Sequence, residues 1–295
     1  MDGWGSLSRS ERLEKLKTKT NTSHNEDEFI LKVVDLTFEA AAQVYAEYQH
    51  SHNPGLPFIG DPKDFIWDFS FNRGGYHFYV LDMRGHHDCE RGPDECRLLS
   101  MAQHERLEAW LDTLEGADGA FILSSVPVVH WSPIVEYSLY FVNSLKDDLM
   151  DAWAHPTNHI ERDRLFRMLF KASEKHRVPI TIVSGDVHCA SVYTLSDEGY
   201  PNAKVLQVNS SPISRKPVPA IATKAFARTG FINRKENDGK GKDVRTTVHQ
   251  RQCFAKAGIC NFAIIKAEGK ELKVTFYYTS NTTHERKTVE VDLVW

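Results

Sequence analysis

The chain has 295 residues, 41% hydrophobic and 26% charged, the proportions of a globular protein long enough to bury about 75% of its unfolded surface. Its 36 basic and 40 acidic residues leave a net charge of -4, which excludes a general electrostatic pull toward nucleic acid or an anionic membrane. No apolar run approaches the roughly 20 residues of a membrane-spanning helix, and the opening stretch, MDGWGSLSRSERLEK, lacks the apolar core of a secretory signal. Five cysteines without such a signal point to reduced thiols and an intracellular, cytoplasmic location. Cys89 and Cys96, like Cys253 and Cys260, are spaced more widely than the usual zinc-knuckle pair, so no structural zinc is expected.

In chain order, residues 8–20 predict a charged helix with Leu13 and Leu16 as its clear apolar positions, and a polar link, TNTSHNEDE, follows. DLTFEAAAQVYAEYQH predicts a stronger helix, with apolar residues Leu36, Ala40, Val44 and Tyr48 at four-residue spacing. Pro and Gly in HNPGLPFIGDP end it. Apolar runs over 76–82, 120–126, 179–184 and 204–208 predict four buried strands lying near one another. Between them, residues 103–114 predict a helix with Leu107, Trp110, Leu111 and Leu114 on one face. Residues 161–176 predict another, with Leu165, Met168 and Leu169 inward and a charged ERDR start. The loop GHHDCERGPDEC places His86 and His87 at the surface, and the Gly- and charge-rich stretch 231–245 reads as an exposed loop. The tail holds two β-rich runs, the first folded about an EGKE turn. There is no internal repeat. Apolar strands without alternation are covered on both faces, so the pattern predicts one layered α/β domain over 1–295 with further β-sheet at its C-terminal end.

The stretch ITIVSGDVHCASVY, 180–193, carries the clearest chemistry. Asp186 and His188 stand one residue apart just past a buried strand, where α/β sheets gather functional groups. Gly185 supplies the freedom for a sharp bend. Oxygen and nitrogen donors together suit a first-row divalent or trivalent metal. An Asp capping a turn beside a His bonded to a carbonyl explains the same residues without a ligand.

Several blocks then resemble one family in its own order. SGDVHCASVY looks like the signature of PhoD-like metallophosphatases, of the calcineurin-type metallophosphoesterase superfamily. FYVLDMRG, LLSMAQHERLEAWL, ILSSVPVV, DAWAHPTNHIERDRLFRML and VNSSPIS resemble successive family segments. The resemblance implies a β-sandwich flanked by helices, with metal ions as cofactors, two of them in an intact domain, and hydrolysis of a phosphate ester by a metal-bound hydroxide. Mapped onto this chain, it implies Asp186 and His188 as metal ligands, with Asp186 alternatively anchoring a ligating imidazole. Arg84 either faces the phosphate or pairs with Asp82. His130 is a strand-end histidine within reach of the site, Ser210 and Ser211 either support the ligand loops or shape a turn, and Cys189 is the cysteine near the chemistry. MDGWGS resembles the tail of an earlier ligand block, so the sandwich is expected to be incomplete on its N-terminal side and this fragment to be weakly active alone. The alternative is a non-catalytic remnant that serves as a binding module. The expected partner is a phosphate-ester substrate, with no nucleic acid and no transmembrane segment. Residues 215–245, with nine Lys or Arg against three acids, read as a solvated loop or as an attraction for an anionic substrate or lipid head group.

Overall fold

Apolar strands need cover on both faces, and amphipathic helices need an apolar sheet to lie on. The computed structural model shows how the chain meets both needs. It describes residues 8–20, 27–53, 65–88, 90–91, 96–130, 152–217, 219–220, 230–237, 243–269, 271–280 and 285–294. In chain order the elements are α1 (Arg9–Thr20), α2 (Asp27–Tyr48), β1 (Phe69–Arg73), β2 (Tyr76–Val80), α3 (Met101–Leu111), β3 (Gly119–Ser124), α4 (His159–His176), β4 (Ile180–Ser184), β5 (Ala190–Asp197), β6 (Val205–Ser210), β7 (Gly230–Asn237), β8 (Asp243–Lys256), β9 (Ile259–Glu268), β10 (Glu271–Ser280) and β11 (Arg286–Val294).

An eight-stranded sheet runs β1-β2-β3-β4-β6-β5-β8-β7, and a three-stranded sheet runs β11-β10-β9. The four predicted strands, β2, β3, β4 and β6, are the parallel centre of the large sheet. One face carries Ile122, Ile182 and Val205 against Leu107 and Leu111 of α3 and Leu165, Phe166 and Leu169 of α4. The opposite face carries Phe121, Val192, Leu206 and Val208 against Leu272, Val274 and Phe276 of β10 and Leu293 of β11. The architecture is therefore mixed α/β, a two-sheet sandwich with helices over one outer face. Burial follows the layers. β3 is buried almost throughout, whereas β10 buries every second residue because its other face meets solvent. The hairpin about EGKE forms as predicted, with Glu268 opposite Glu271 and Gly269 at φ +56°. Among the described residues no helix is long and apolar enough to cross a membrane.

Two expectations are corrected. The α2 helix begins earlier than predicted and buries Val34, Ala42 and Ala46, while Leu36, Val44 and Tyr48 stand 54%, 56% and 72% exposed. Its contact is with Phe65 and Trp67. Two large aromatic side chains need small partners, so the alanines dock and the bulkier stripe turns outward. The stretch 231–245 is mostly strand rather than loop, since it contains most of β7 and the start of β8. Its Asp-Gly turn signal was present, but the high charge masked it. Charged residues suit a strand at a sheet edge, and β7 is that edge. Residues 238–242 lie outside the described ones.

The core clamps α4 to the sheet through fully buried Phe166. Phe166→Ala is expected to cost about 3–5 kcal/mol, the range for deleting a packed aromatic ring. Urea unfolding measures it, and a loss below about 1 kcal/mol would show that α4 is not held by this contact.

Candidate active site

Strands β2, β3, β4 and β6 are parallel, so the segments after them emerge at one edge. The segment after β4 has an unusual task. β5 is antiparallel to β6 and lies on the far side of it from β4. Gly185–Cys189 must therefore cross the end of β6, two strand spacings or about 10 Å, and reverse direction within five residues. The backbone does this with Asp186 at φ +66° and His188 at φ +54°. The Val187 amide donates to the Gly185 carbonyl at 2.8 Å, which makes a γ-turn about Asp186. Such conformations cost on the order of 1–3 kcal/mol each and cluster at functional sites. The bend therefore does not reside in Gly185, as the sequence suggested. A Cβ there would meet only ordinary contacts, at 3.7 Å and beyond.

The β6 terminus holds the crossing in place. The His188 amide donates to Ser211 Oγ at 2.9 Å. The Ser211 amide and Asn209 Nδ2 both donate to the Cys189 carbonyl, at 3.2 and 3.0 Å. Ser210 Oγ lies 2.9 Å from Asn261 Oδ1, which ties the edge to the second sheet. Asp186 is left exposed and His188 half-buried. Beneath them, Ser184 Oγ and Asn209 Oδ1 are buried with no hydrogen-bond partner. They end neighbouring strands in register, so unused oxygen acceptors sit under the same turn. His130 is 2% exposed, its Nδ1 3.8 Å from Cys189 Sγ. Burial lowers its pKa to about 3 and pushes the Cys189 thiol up. Both are neutral core groups rather than proton carriers at ordinary pH.

The segment after β2 is built on Asp82. Its carboxylate accepts from the amides of Arg84, Gly85 and His86, at 3.0, 2.7 and 3.1 Å, and lies 3.0 Å from His86 Nδ1. Burial opposes its charge, but the His86 ring and the Gly85 and Arg84 amides outweigh that and hold its carboxyl below the ordinary value. Asp82 is thus the organiser of the turn. Gln103 of α3 clamps its backbone from both sides, accepting from the Asp82 amide and donating to its carbonyl. Arg84 itself is exposed. The two histidines are not the surface pair expected. His86 is half-buried on Asp82, and His87 is buried. Gly85 is required by close approach, since a Cβ there would overlap the Trp67 indole.

A donor group that sequence reading missed lies away from this edge. Cys96, His104 and Glu161 are all buried, with ligand atoms within 4.8 Å of one another. Nothing in their spacing suggests it, and in sequence Glu161 reads only as part of the charged ERDR start of a helix. The donor types fit a metal, but their bonding does not. Glu161 Oε2 accepts from the Arg97 and Leu98 amides at 2.7 and 2.9 Å. Its Oε1 accepts from the Leu99 amide at 2.7 Å and lies 3.2 Å from His104 Nε2. Four contacts fill the carboxylate, and His104 Nδ1 has no partner, which places the ring proton on Nε2 toward Glu161. Arg164 turns its guanidinium on Cys96 Sγ at 3.4 Å. The group is a clasp joining α4 to the segment before α3. Among the described residues, no third His, Cys, Asp or Glu joins Asp186 and His188 in such a group.

Two outcomes follow from these placements. Glu161→Gln is expected to lower stability by about 2–4 kcal/mol, because buried amides lose their acceptor, while EDTA leaves the melting temperature of the unmodified chain unchanged. A fall in melting temperature with EDTA that persists in His188→Ala and is lost in Glu161→Gln would put a metal in the clasp. His130 has a folded pKa of about 3 against about 6.5 unfolded. Its contribution is therefore complete above pH 6.5 and is lost as pH falls from there toward 3, by up to ~1.4 kcal/mol per pH unit. Urea midpoints between pH 7 and 5 should show a shallower loss in His130→Leu, and equal slopes would place a protonated His130 in the folded state.

Comparison with known proteins finds a family and a fold likeness. Residues 138–250 match the family model described as PhoD related phosphatase, a span that contains Asp186, His188 and Ser211 but not Arg84. No curated protein matches the chain. A solved structure of PhoD superposes on it with a TM-score of 0.60 at 15% identity, over 90% of this chain and 48% of that one. At that identity the likeness is one of fold, and the chain spans about half the length of the PhoD chain it matches. On both grounds, sequence blocks and strand topology, the chain resembles PhoD-like phosphatases.

Proposed function

We propose that this chain carries part of a metal-dependent phosphoesterase site of PhoD-like type, on a metallophosphoesterase-like sandwich, with Asp186 and His188 as the ligand pair and Arg84 as the phosphate-facing cation. The observation that carries this reading is the crossing over β6, where two non-glycine residues at positive φ are fastened by Ser211 at the carboxyl edge of the sheet. Strain of this kind persists where the surroundings over-determine it. The unpartnered oxygens of Ser184 and Asn209 under the same turn add acceptors suited to a hard cation or its water. A bound divalent or trivalent ion supplies acidification of water and neutralisation of phosphoryl charge. Arg84, from the β2 turn, would hold the ester's phosphate, and the Asp186–His188 pair, from the β4 turn, would hold the ion. Water adds at phosphorus as the ester P–O bond breaks and the alcohol leaves.

The second reading is a non-catalytic binding module. It is favoured by the donor count, since Asp186 and His188 are two ligands where a hydrolytic metal needs about three from the protein and an open position. For the same reason, turnover by this 295-residue chain is expected to be small and to need metal in excess over protein. The test follows hydrolysis of a generic aryl phosphate with added Mn²⁺ or Fe³⁺, alongside metal binding by calorimetry. Weak metal-stimulated turnover that falls at least tenfold in His188→Ala, with metal binding weakened in parallel, is the expected result. Metal binding unchanged by His188→Ala would overturn the ligand assignment. Full turnover at stoichiometric metal would instead show that further residues of this chain complete the site.

A further inference from the structure

A cavity of about 510 Å³ opens between α2 and the carboxyl ends of β2 and β3. That volume lies within the range of small-molecule sites, about 300–1,000 Å³. Phe38 and Tyr45 of α2 and Trp67 and Phe69 before and within β1 give it aromatic walls, and Ala41 and Ala42 leave the room between them. Its side-chain polar groups are the Thr37, Tyr45 and Ser125 hydroxyls, the Trp67 indole N–H, the Asp82 carboxylate and Arg84, and the inner ones of the turn are engaged. Thr37 Oγ1 donates to the Val33 carbonyl at 2.7 Å. The Asp82 carboxylate is taken up by three amides and the His86 ring. Arg84, exposed on the same turn, is the cation of the lining.

The position of the cavity gives this lining a purpose. Arg84 follows β2 and the Asp186–His188 turn follows β4, with β3 alone between those strands. The two are thus about two strand spacings apart, near 10 Å. A phosphate held between them leaves its organic group beside the aromatic walls. We infer that this cavity takes the organic group of a phosphate ester, and that the group is apolar, an aryl or medium-chain alkyl rather than a sugar or polyol. The inference rests on the proposed phosphoesterase reading for the position of the phosphate. A sugar would set most of its hydroxyls against aromatic and aliphatic wall, at about 1–3 kcal/mol for each one buried unsatisfied, whereas an aryl group gains area and ring contacts.

The experiment uses the full chain and three probes, 1-naphthyl phosphate, inorganic phosphate and 1-naphthol, titrated by tryptophan fluorescence and calorimetry with and without Mn²⁺. Naphthyl phosphate is expected to bind at least tenfold more tightly than inorganic phosphate. Ala41→Trp, which fills the cavity from the exposed side of α2, should remove that advantage and leave inorganic phosphate unchanged. Phe38→Ala, which removes one wall without adding bulk, should weaken naphthyl phosphate at least threefold. Arg84→Gln should weaken both phosphates and spare 1-naphthol. Equal affinity for the two phosphates, or an advantage that survives both Ala41→Trp and Phe38→Ala, would overturn the inference. Naphthol binding needs no metal and no turnover, so a cavity that binds it and loses it in Ala41→Trp stands even where hydrolysis fails, and the two readings fail separately.

Discussion

The functional edge depends on one topological constraint, the passage of five residues over the end of β6. Because β6 sits between β4 and β5, the chain leaving β4 cannot turn back beside it and must step across a neighbour. A step of about 10 Å with reversal leaves no room for relaxed geometry. Two side chains are therefore presented outward from left-handed positions, at Asp186 and His188. The end of β6 serves as the bridge pier. Ser211, Asn209 and the Cys189 carbonyl form a short network that would not exist if β5 paired with β4 directly.

The rest of the edge is held from the helix side by buried polar groups rather than by apolar packing alone. Gln103 reaches from α3 to the backbone of Asp82, and Gln207 reaches from β6 to the amides of Val128 and Val129, at 3.0 and 2.9 Å. Glu161 does the same for the segment before α3. Each lone side chain satisfies several backbone groups that an irregular segment leaves over. This is how loops become fixed at a sheet end without secondary structure of their own. It also accounts for Glu161 lying sunk in the core at the start of α4.

The α2 helix is attached differently. It meets the large sheet's edge with Ala42 and Ala46 packed on Phe65 and Trp67, and Trp67 in turn rests on Gly85 of the Arg84 turn. One aromatic ring thus connects the helix to the Arg84 turn, and the ring lines the apolar cavity. Position of the helix, shape of the cavity and conformation of the turn are consequences of a single contact between small and large residues.

Sequence alone determined the frame: four apolar strands near one another, the inward faces of α3 and α4, the EGKE hairpin, and the placing of Asp186 and His188 just past β4. These features are local, because burial on one or both faces of an element leaves its period in neighbouring residues. Tertiary structure decided what depends on partners far along the chain. The buried face of α2 is set by Phe65 and Trp67, and the charged 231–245 stretch is strand through the β7–β8 pairing, which β5 in turn joins to the large sheet. Glu161 went inside because amides more than sixty positions away needed an acceptor. The turn at Asp186 was legible as a sharp bend but not as a left-handed one. Its handedness comes from the strand it must cross, and no neighbouring residue records that strand.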